Sequence, residues 1–293
     1  MDNPPINLDK LSEPLTKLVE VVSKGIGTLY APRGTVRQAK ADGEAKIIHA
    51  QADAKALEIQ ERANERIRYR ESLRQENIEK ISNQAELELP GEVSSEMVDT
   101  DWTLQYFDHA QDVCDEDMQK LWARILAGEV AKPGSYSKRT LQFLKTLDKK
   151  EAEGFTHLCC ASVTLSGRHY IFEEAATKKV LEEKFGLLDY KQHFLSIGLL
   201  TVDPYNVNPS DATGVEITYF DREFTLEGPD KPEPSRIPLI EQWFTLRGFT
   251  SIGEQLASIA GAMPIDGYID RLAEGCKDRY SILFCETERD NDS

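Results

Sequence analysis

The stretch from Arg33 to Leu89 constrains this chain most. It is rich in alanine and charge, has no proline, and past Gly34 carries a single glycine, Gly43. Most of its residues favour helix, and opposite charges stand one turn apart at Asp42/Lys46 and Glu58/Arg62. The stretch predicts one very long helix, with Gly43 as the one place where it could break. Its apolar residues (Ile47, Ile48, Leu57, Ile59, Ile67, Leu73, Ile78 and Ile81) are too thinly spread to bury it inside a compact domain. Its stability must then come from charge pairs and from packing on other helices, and helices of other copies are the expected partners.

The rest of the chain is bounded by its size and charge. With 293 residues there is room for two or three units, and 40% hydrophobic residues is low for a wholly globular chain. The net charge of −16 is unevenly spread: the long helical stretch is balanced, whereas Lys150 to Ser293 holds 14 basic against 25 acidic residues. A field of that sign repels a phosphate backbone, which weighs against nucleic acid as a partner of that half. Five scattered cysteines make no disulfide framework, no signal peptide is recognised, and no apolar run is long enough to cross a bilayer. The expected location is cytoplasmic, with peripheral membrane contact as a second reading.

Five regions follow from the pattern. Residues 1–31 form a short amphipathic helix after a disordered start. Its seam Leu8, Leu11, Leu15, Leu18, Val22, Ile26 and Leu29 steps by threes and fours, with Ser12 as cap and Pro14 in the first turn. That seam suits either a partner helix or an in-plane membrane helix. Residues 32–89 are the long helix, ended by Pro90-Gly91. Residues 90–165 read as a helical module: a helix opening at Ser94-Ser95 and running through Phe107, a second from Glu116 to Val130 capped by Asp115, a third from Lys138 to Leu147 capped by Ser137, and a fourth opened by an Asp148/Glu151 capping box. Residues 166–285 read as an α+β unit, with helix over Ala175 to Phe185, a helix ending at Ile197-Gly198, one strand over Gly214 to Glu227, a return strand over Ile237 to Leu246, and a helix from Thr250 or Ser251. Helix, helix, hairpin, helix is a winged-helix-like order. Residues 286–293 read as a disordered tail. The fold class is therefore mainly α, with an α+β C-terminal part.

Chemistry is thin. There is no Gly-rich phosphate loop, nucleophile elbow or paired histidine on a helix. His157, Cys159, Cys160 and His169 are the closest approach to a metal site, but adjacent cysteines diverge on a helix and no second pair follows at finger spacing. The acidic cluster His109, Asp112, Asp115, Glu116 and Asp117 is explained by capping and exposure better than by acid–base work. No catalytic residue, metal or cofactor is expected. Arg62, Arg66, Arg70 and Arg74, with Arg68 beside them, recur as a basic stripe on the long helix. Interleaved glutamates make it a salt-bridged face, or one that docks on the acidic half of the same or another chain.

The stretch LWARILAGEV with PGSYSKRTL after it, whose core is Leu121, Trp122, Ile125 and Leu126, resembles a bacterial family of proteins of unknown function, and LTKLVEVVSKGIGTLYAPRG, FLSIGLL and FTSIGEQL extend the likeness. The Leu-Trp-Ala turn and the later Gly-Leu-Leu are also similar to the Abi-alpha proteins of abortive infection, a bacterial response to phage. Glu44 to Ala63 has the Ala/Glu texture of stomatin- and prohibitin-like helices. These resemblances imply a defence or stress role and bring no catalytic residues. The expectation is a non-enzymatic, self-assembling coiled-coil protein, a sensor or scaffold in anti-phage defence. It would assemble through Leu11, Leu15, Leu18, Val22 and Ile26 and dock through Arg62, Arg66, Arg70 and Arg74 on a protein partner, with a phage component as one candidate. The alternatives are a peripheral membrane effector and a cryptic nuclease or hydrolase.

Overall fold

The structure, a computed structural model, describes residues 12–27, 52–187, 189–207, 215–227, 244–280 and 283–286. The chain divides into two compact units, residues 1–145 and 146–293. The first is all helix among its described residues. In α1 (Glu13–Ile26), Pro14 sits in the first turn and Gly27 ends the helix in the left-handed region. The long helix is seen as α2 (Ala52–Glu88); Arg33 to Gln51, with Gly43, lies outside the described residues, as do Met1 to Leu11 and the last seven residues. Next come α3 (Thr100–Ala110), α4 (Glu116–Ala131) and α5 (Lys138–Thr146).

The start of α3 corrects the sequence reading. Asp99, not Ser94 or Ser95, is the cap, accepting from the Trp102 amide, while Ser94 exchanges backbone contacts with α4 and α1 through Ala131 O and Lys17 Nζ. The aspartate is the residue whose oxygen reaches an orphan amide of the first turn, while Ser94 finds other partners. Asp115 caps α4 by accepting from the amides of Asp117 and Met118. At the centre Trp102 stacks on Tyr106, whose ring meets Trp122 edge to face, with the Trp102 indole donating to Tyr136 O and the Tyr106 hydroxyl to Trp122 O, both at 2.7 Å. Trp122, Ile125 and Leu126 are fully enclosed, and Leu121 is half-buried.

The second unit opens with α6 (Lys149–Cys159), which carries the Asp148/Glu151 capping box. The sequence pattern grouped α6 with the helices before it, but it packs on α7 (Ala175–Phe185), α8 (Tyr190–Ser196) and α9 (Ser251–Ala257). Helix α10 (Tyr268–Tyr280) completes the helices described. Seven strands, β1 (Val163–Leu165), β2 (Arg168–Phe172), β3 (Tyr205–Val207), β4 (Val215–Tyr219), β5 (Arg222–Glu227), β6 (Phe244–Gly248) and β7 (Leu283–Glu286), form one antiparallel sheet in the order β3-β6-β2-β1-β4-β5-β7. The helix, helix, hairpin, helix order is present as α7, α8, β4–β5 and α9, embedded in this larger sheet.

The hairpin itself differs from the sequence reading. Val215 to Glu227 is two strands rather than one, folded at Phe220-Asp221 with Tyr219 opposite Arg222; of the expected return strand, residues 237–243 lie outside the described residues, and β6 pairs with β2 and β3 instead of returning against that segment. The two-residue turn was hidden because Phe220, at φ +54°, occupies a position where glycine is usual. Phe155 joins α6 to Phe194 and Phe249 in the core, and Gly253 passes so close to the Leu199 carbonyl that a Cβ would lie 2.3 Å from its oxygen.

Within the LWARILAGEV motif the most constrained group is Glu129. Its buried carboxylate accepts from the amides of Gly134 at 2.7 Å and Tyr136 at 2.9 Å, fixing the turn that follows α4. Burial pushes its pKa up, against the pull of those amides. Glu129→Gln would set an NH2 group against one of the two amides, and the variant should lose about 1–3 kcal/mol of stability. Urea unfolding followed by tryptophan fluorescence checks this; an unchanged midpoint would refute it.

Candidate interaction surface

Helix α2 changes character along its length. From Asn77 onward one face is buried: Asn77, Ile78, Ile81, Ser82 and Ala85 pack mainly on α4. The junction is polar and tightly bonded. Asn77 donates to Gln111 O at 3.0 Å and accepts from Gln119, which also donates to Val113 O at 2.8 Å. One turn earlier, Arg74 grips Asp112 with two nitrogens, at 2.7 and 3.1 Å, and Arg70 approaches the same carboxylate at 4.0 Å. Hydrogen bonding to Arg74 holds the Asp112 carboxyl below its ordinary range.

Before that junction the helix is uncovered. Ile59 and Ile67 are 54% and 57% exposed and Tyr69 72%, with Leu57 also in solvent. Ile59, Ala63 and Ile67 step by fours and lie on the same side as Arg70, Arg74, Ile78, Ile81 and Ala85. The stripe that builds the core in the second half of α2 therefore continues through the first half with no element of the described residues on it. Charge is also graded along the helix. Residues 52–61 carry one lysine against three acids, residues 62–74 five arginines against two acids.

The structure assigns the sequence candidates differently from one another. Leu18 and Val22 are buried in unit 1, and Leu15 and Ile26 are half-buried; Leu11 lies outside the described residues. The seam's partners are the chain's own α3 and α4: Gly25 is so close to Phe107 that a Cβ would lie 2.0 Å from the ring. Of the arginines, Arg74 and Arg70 meet Asp112, Arg62 pairs with Glu58 at 3.4 Å, and Arg66 is exposed. Asp112, Asp115 and Asp117 are engaged with Arg74, the α4 cap and Lys120 respectively. His157 stacks on Phe185 at 4.2 Å while His169 bonds Glu254 at 2.6 Å, so the two histidines serve separate contacts. Among the described residues no group of three or more His, Cys, Asp or Glu could hold a metal ion.

The family model described as protein of unknown function (DUF2806) matches residues 61–273, most of both units. The chain belongs to the DUF2806 family. No curated protein and no solved structure matches it. The DUF2806 match begins inside the uncovered part of α2, so Arg62 to Arg74 and the Asp112 junction fall within it. None of the described helices is long and apolar enough to cross a membrane.

Sequence reasoning missed Asn77 and Gln119. An asparagine on an apolar stripe is the only trace of that network in the sequence. Asn77→Ala would remove one of the two bonds of the Gln119 amide and the donor to the Gln111 carbonyl, and should cost roughly 1–3 kcal/mol in urea unfolding. The ion pair beside it has a pH signature. Since Asp112 titrates below its usual value when folded, its contribution is present above about pH 4 and is lost as pH falls through the lowered value. The unfolding midpoint of the wild type should accordingly drop more between pH 5 and pH 2 than that of Asp112→Asn; parallel curves would exclude this.

Proposed function

We propose that this DUF2806 protein is a non-enzymatic interaction protein that self-associates through the uncovered half of α2. One observation carries the reading: Ile59, Ala63 and Ile67 prolong a core-forming stripe beyond the helices that cover the rest of it. An exposed apolar stripe on an otherwise charged helix is the pattern of a helix that meets another helix. A second copy fits best because the charge is graded. Side by side and antiparallel, the acid-rich start of each helix faces the arginine-rich part of the other, which fixes orientation more than it adds affinity. A use of that assembly in anti-phage defence, as sensor or scaffold, rests on the resemblance of the Leu-Trp-Ala and Gly-Leu-Leu segments to Abi-alpha proteins, with a phage component as a candidate partner.

The membrane reading finds less support. Inserting α1 would first draw Leu18, Val19 and Val22 out of unit 1, at roughly 1.5–3 kcal/mol for each side chain. A hydrolytic or nuclease reading is weakened in the same way, because the aspartates it would use are bound to Arg74, Lys120 and the α4 amides.

Light scattering of the full chain tests the proposal. The wild type should be a dimer or larger, and Ile59→Asp with Ile67→Asp should dissociate it without altering the circular dichroism spectrum, since both side chains are exposed. Arg66→Glu should weaken association. A wild type that stays monomeric at all concentrations would end the reading. For the defence role, phage plating efficiency should fall on expression of the wild type and recover with the dissociated variant.

A further inference from the structure

A cavity of about 310 Å³ lies in the second unit. Its walls come from the end of α6, the β1–β2 hairpin, the tip of β4–β5 and the chain leaving α9, with Ser162, Thr164, His169, Phe220, Ser258 and Gly261 among the lining residues. Cys159 also reaches it, but burial pushes that thiol's pKa well up, so it remains protonated and is a poor nucleophile.

His169 is unusually well fixed. Glu254 accepts from its main-chain amide with one oxygen at 2.9 Å and meets Nδ1 with the other at 2.6 Å, while Phe249 stacks on the ring. Among the described residues Nε2 has no hydrogen-bond partner. With the Nδ1 proton directed at the carboxylate, Nε2 is left as an acceptor. Ser162 and Ser258 donate their hydroxyl protons to the carbonyls of Cys159 and Gln255, so their lone pairs remain on offer. The Thr164 hydroxyl, on the residue cross-strand from His169, has no bond among the described residues. Among the described residues no lysine or arginine lines the cavity. Its lining is rich in acceptors and suits a ligand that brings N–H donors, not an anion.

Phe220 supplies the other half of the recognition. The residue is 39% exposed at the cavity's edge, and its backbone holds the left-handed conformation at the first position of a two-residue turn, where glycine would sit without strain. A strained aromatic in that place has a use that a glycine could not serve: a flat surface against which a planar ligand stacks. We infer that this cavity binds an amino-substituted, neutral nitrogen heteroaromatic of nucleobase size, stacked on Phe220 and donating to His169 and the surrounding hydroxyls. The volume is at the small end of ligand pockets and accommodates a free base or a nucleoside.

Calorimetric titration of the full chain with adenine, cytosine, adenosine and adenosine monophosphate tests this. Adenine or cytosine should bind saturably, and a gain on moving to adenosine would identify the nucleoside as the better form; the monophosphate should bind more weakly than adenosine. Phe220→Gly should weaken binding by about tenfold or more while leaving the thermal midpoint unchanged or raised, because it relieves the turn. His169→Phe, which keeps a ring on Phe249 and removes the acceptor, should weaken it as well. Absence of saturable binding by either base, tighter binding of the monophosphate than of adenosine, or base binding indifferent to Phe220→Gly would each overturn the inference.

Discussion

The grip of Arg74 on Asp112, with Asn77 and Gln119 bonded behind it, marks the point on α2 where packing stops. A 37-residue helix is about 55 Å long, far more than three short helices can cover. Fixing the helix at one polar junction lets its second half serve as a core element while the first half extends past the contacts of its own unit. Move that junction and the register of Ile78, Ile81 and Ala85 against α4 moves with it. The buried amides are suited to such a role because they are satisfied in one alignment only, whereas an apolar stripe stepping by fours tolerates a slide of one turn.

The LWARILAGEV stretch has a comparable logic on the far end of α4. Gly128 leaves room for the Tyr136 ring, which a Cβ would approach to 2.8 Å, and Glu129 turns back to hold the amides of Gly134 and Tyr136. The Tyr136 carbonyl then accepts from Trp102. Glycine, glutamate, proline-glycine and tyrosine in that order specify one turn rather than a surface, and so its residues read as architecture and offer no reactive centre.

Local signals in the sequence translated well. The helix over Ala175 to Phe185, the Asp115 cap, the Asp148/Glu151 box and the start of α9 behind Thr250 all depend on residues within a turn of each other. What was illegible depends on distance or on a broken rule. The placement of β6 beside β2 joins residues some 75 positions apart, and no periodicity announces it. The turn at Phe220 breaks the preference for glycine, so an alternating pattern concealed two strands as one. The candidate cavity combines both problems, since its lining runs from Cys159 to Ala262 and one of its aromatic walls is the residue that violated the turn rule. The α2 surface was half visible: the long helix and its arginines stood out, but only packing distinguishes which apolar residues are already used.

The sheet order has a kinetic side. Every helix that packs in unit 1 has been made by about residue 145, so that unit can close while the second is still being synthesised. Unit 2 cannot: β6 must find its place between β2 and β3, and β5 acquires its outer neighbour only when Leu283–Glu286 has been synthesised. Closing loops of that length slows folding and leaves strand edges unsatisfied in the meantime. During that interval the finished first unit already displays its α2 stripe, so the association proposed for that stripe would begin between neighbouring nascent chains on one messenger, before either has completed its sheet.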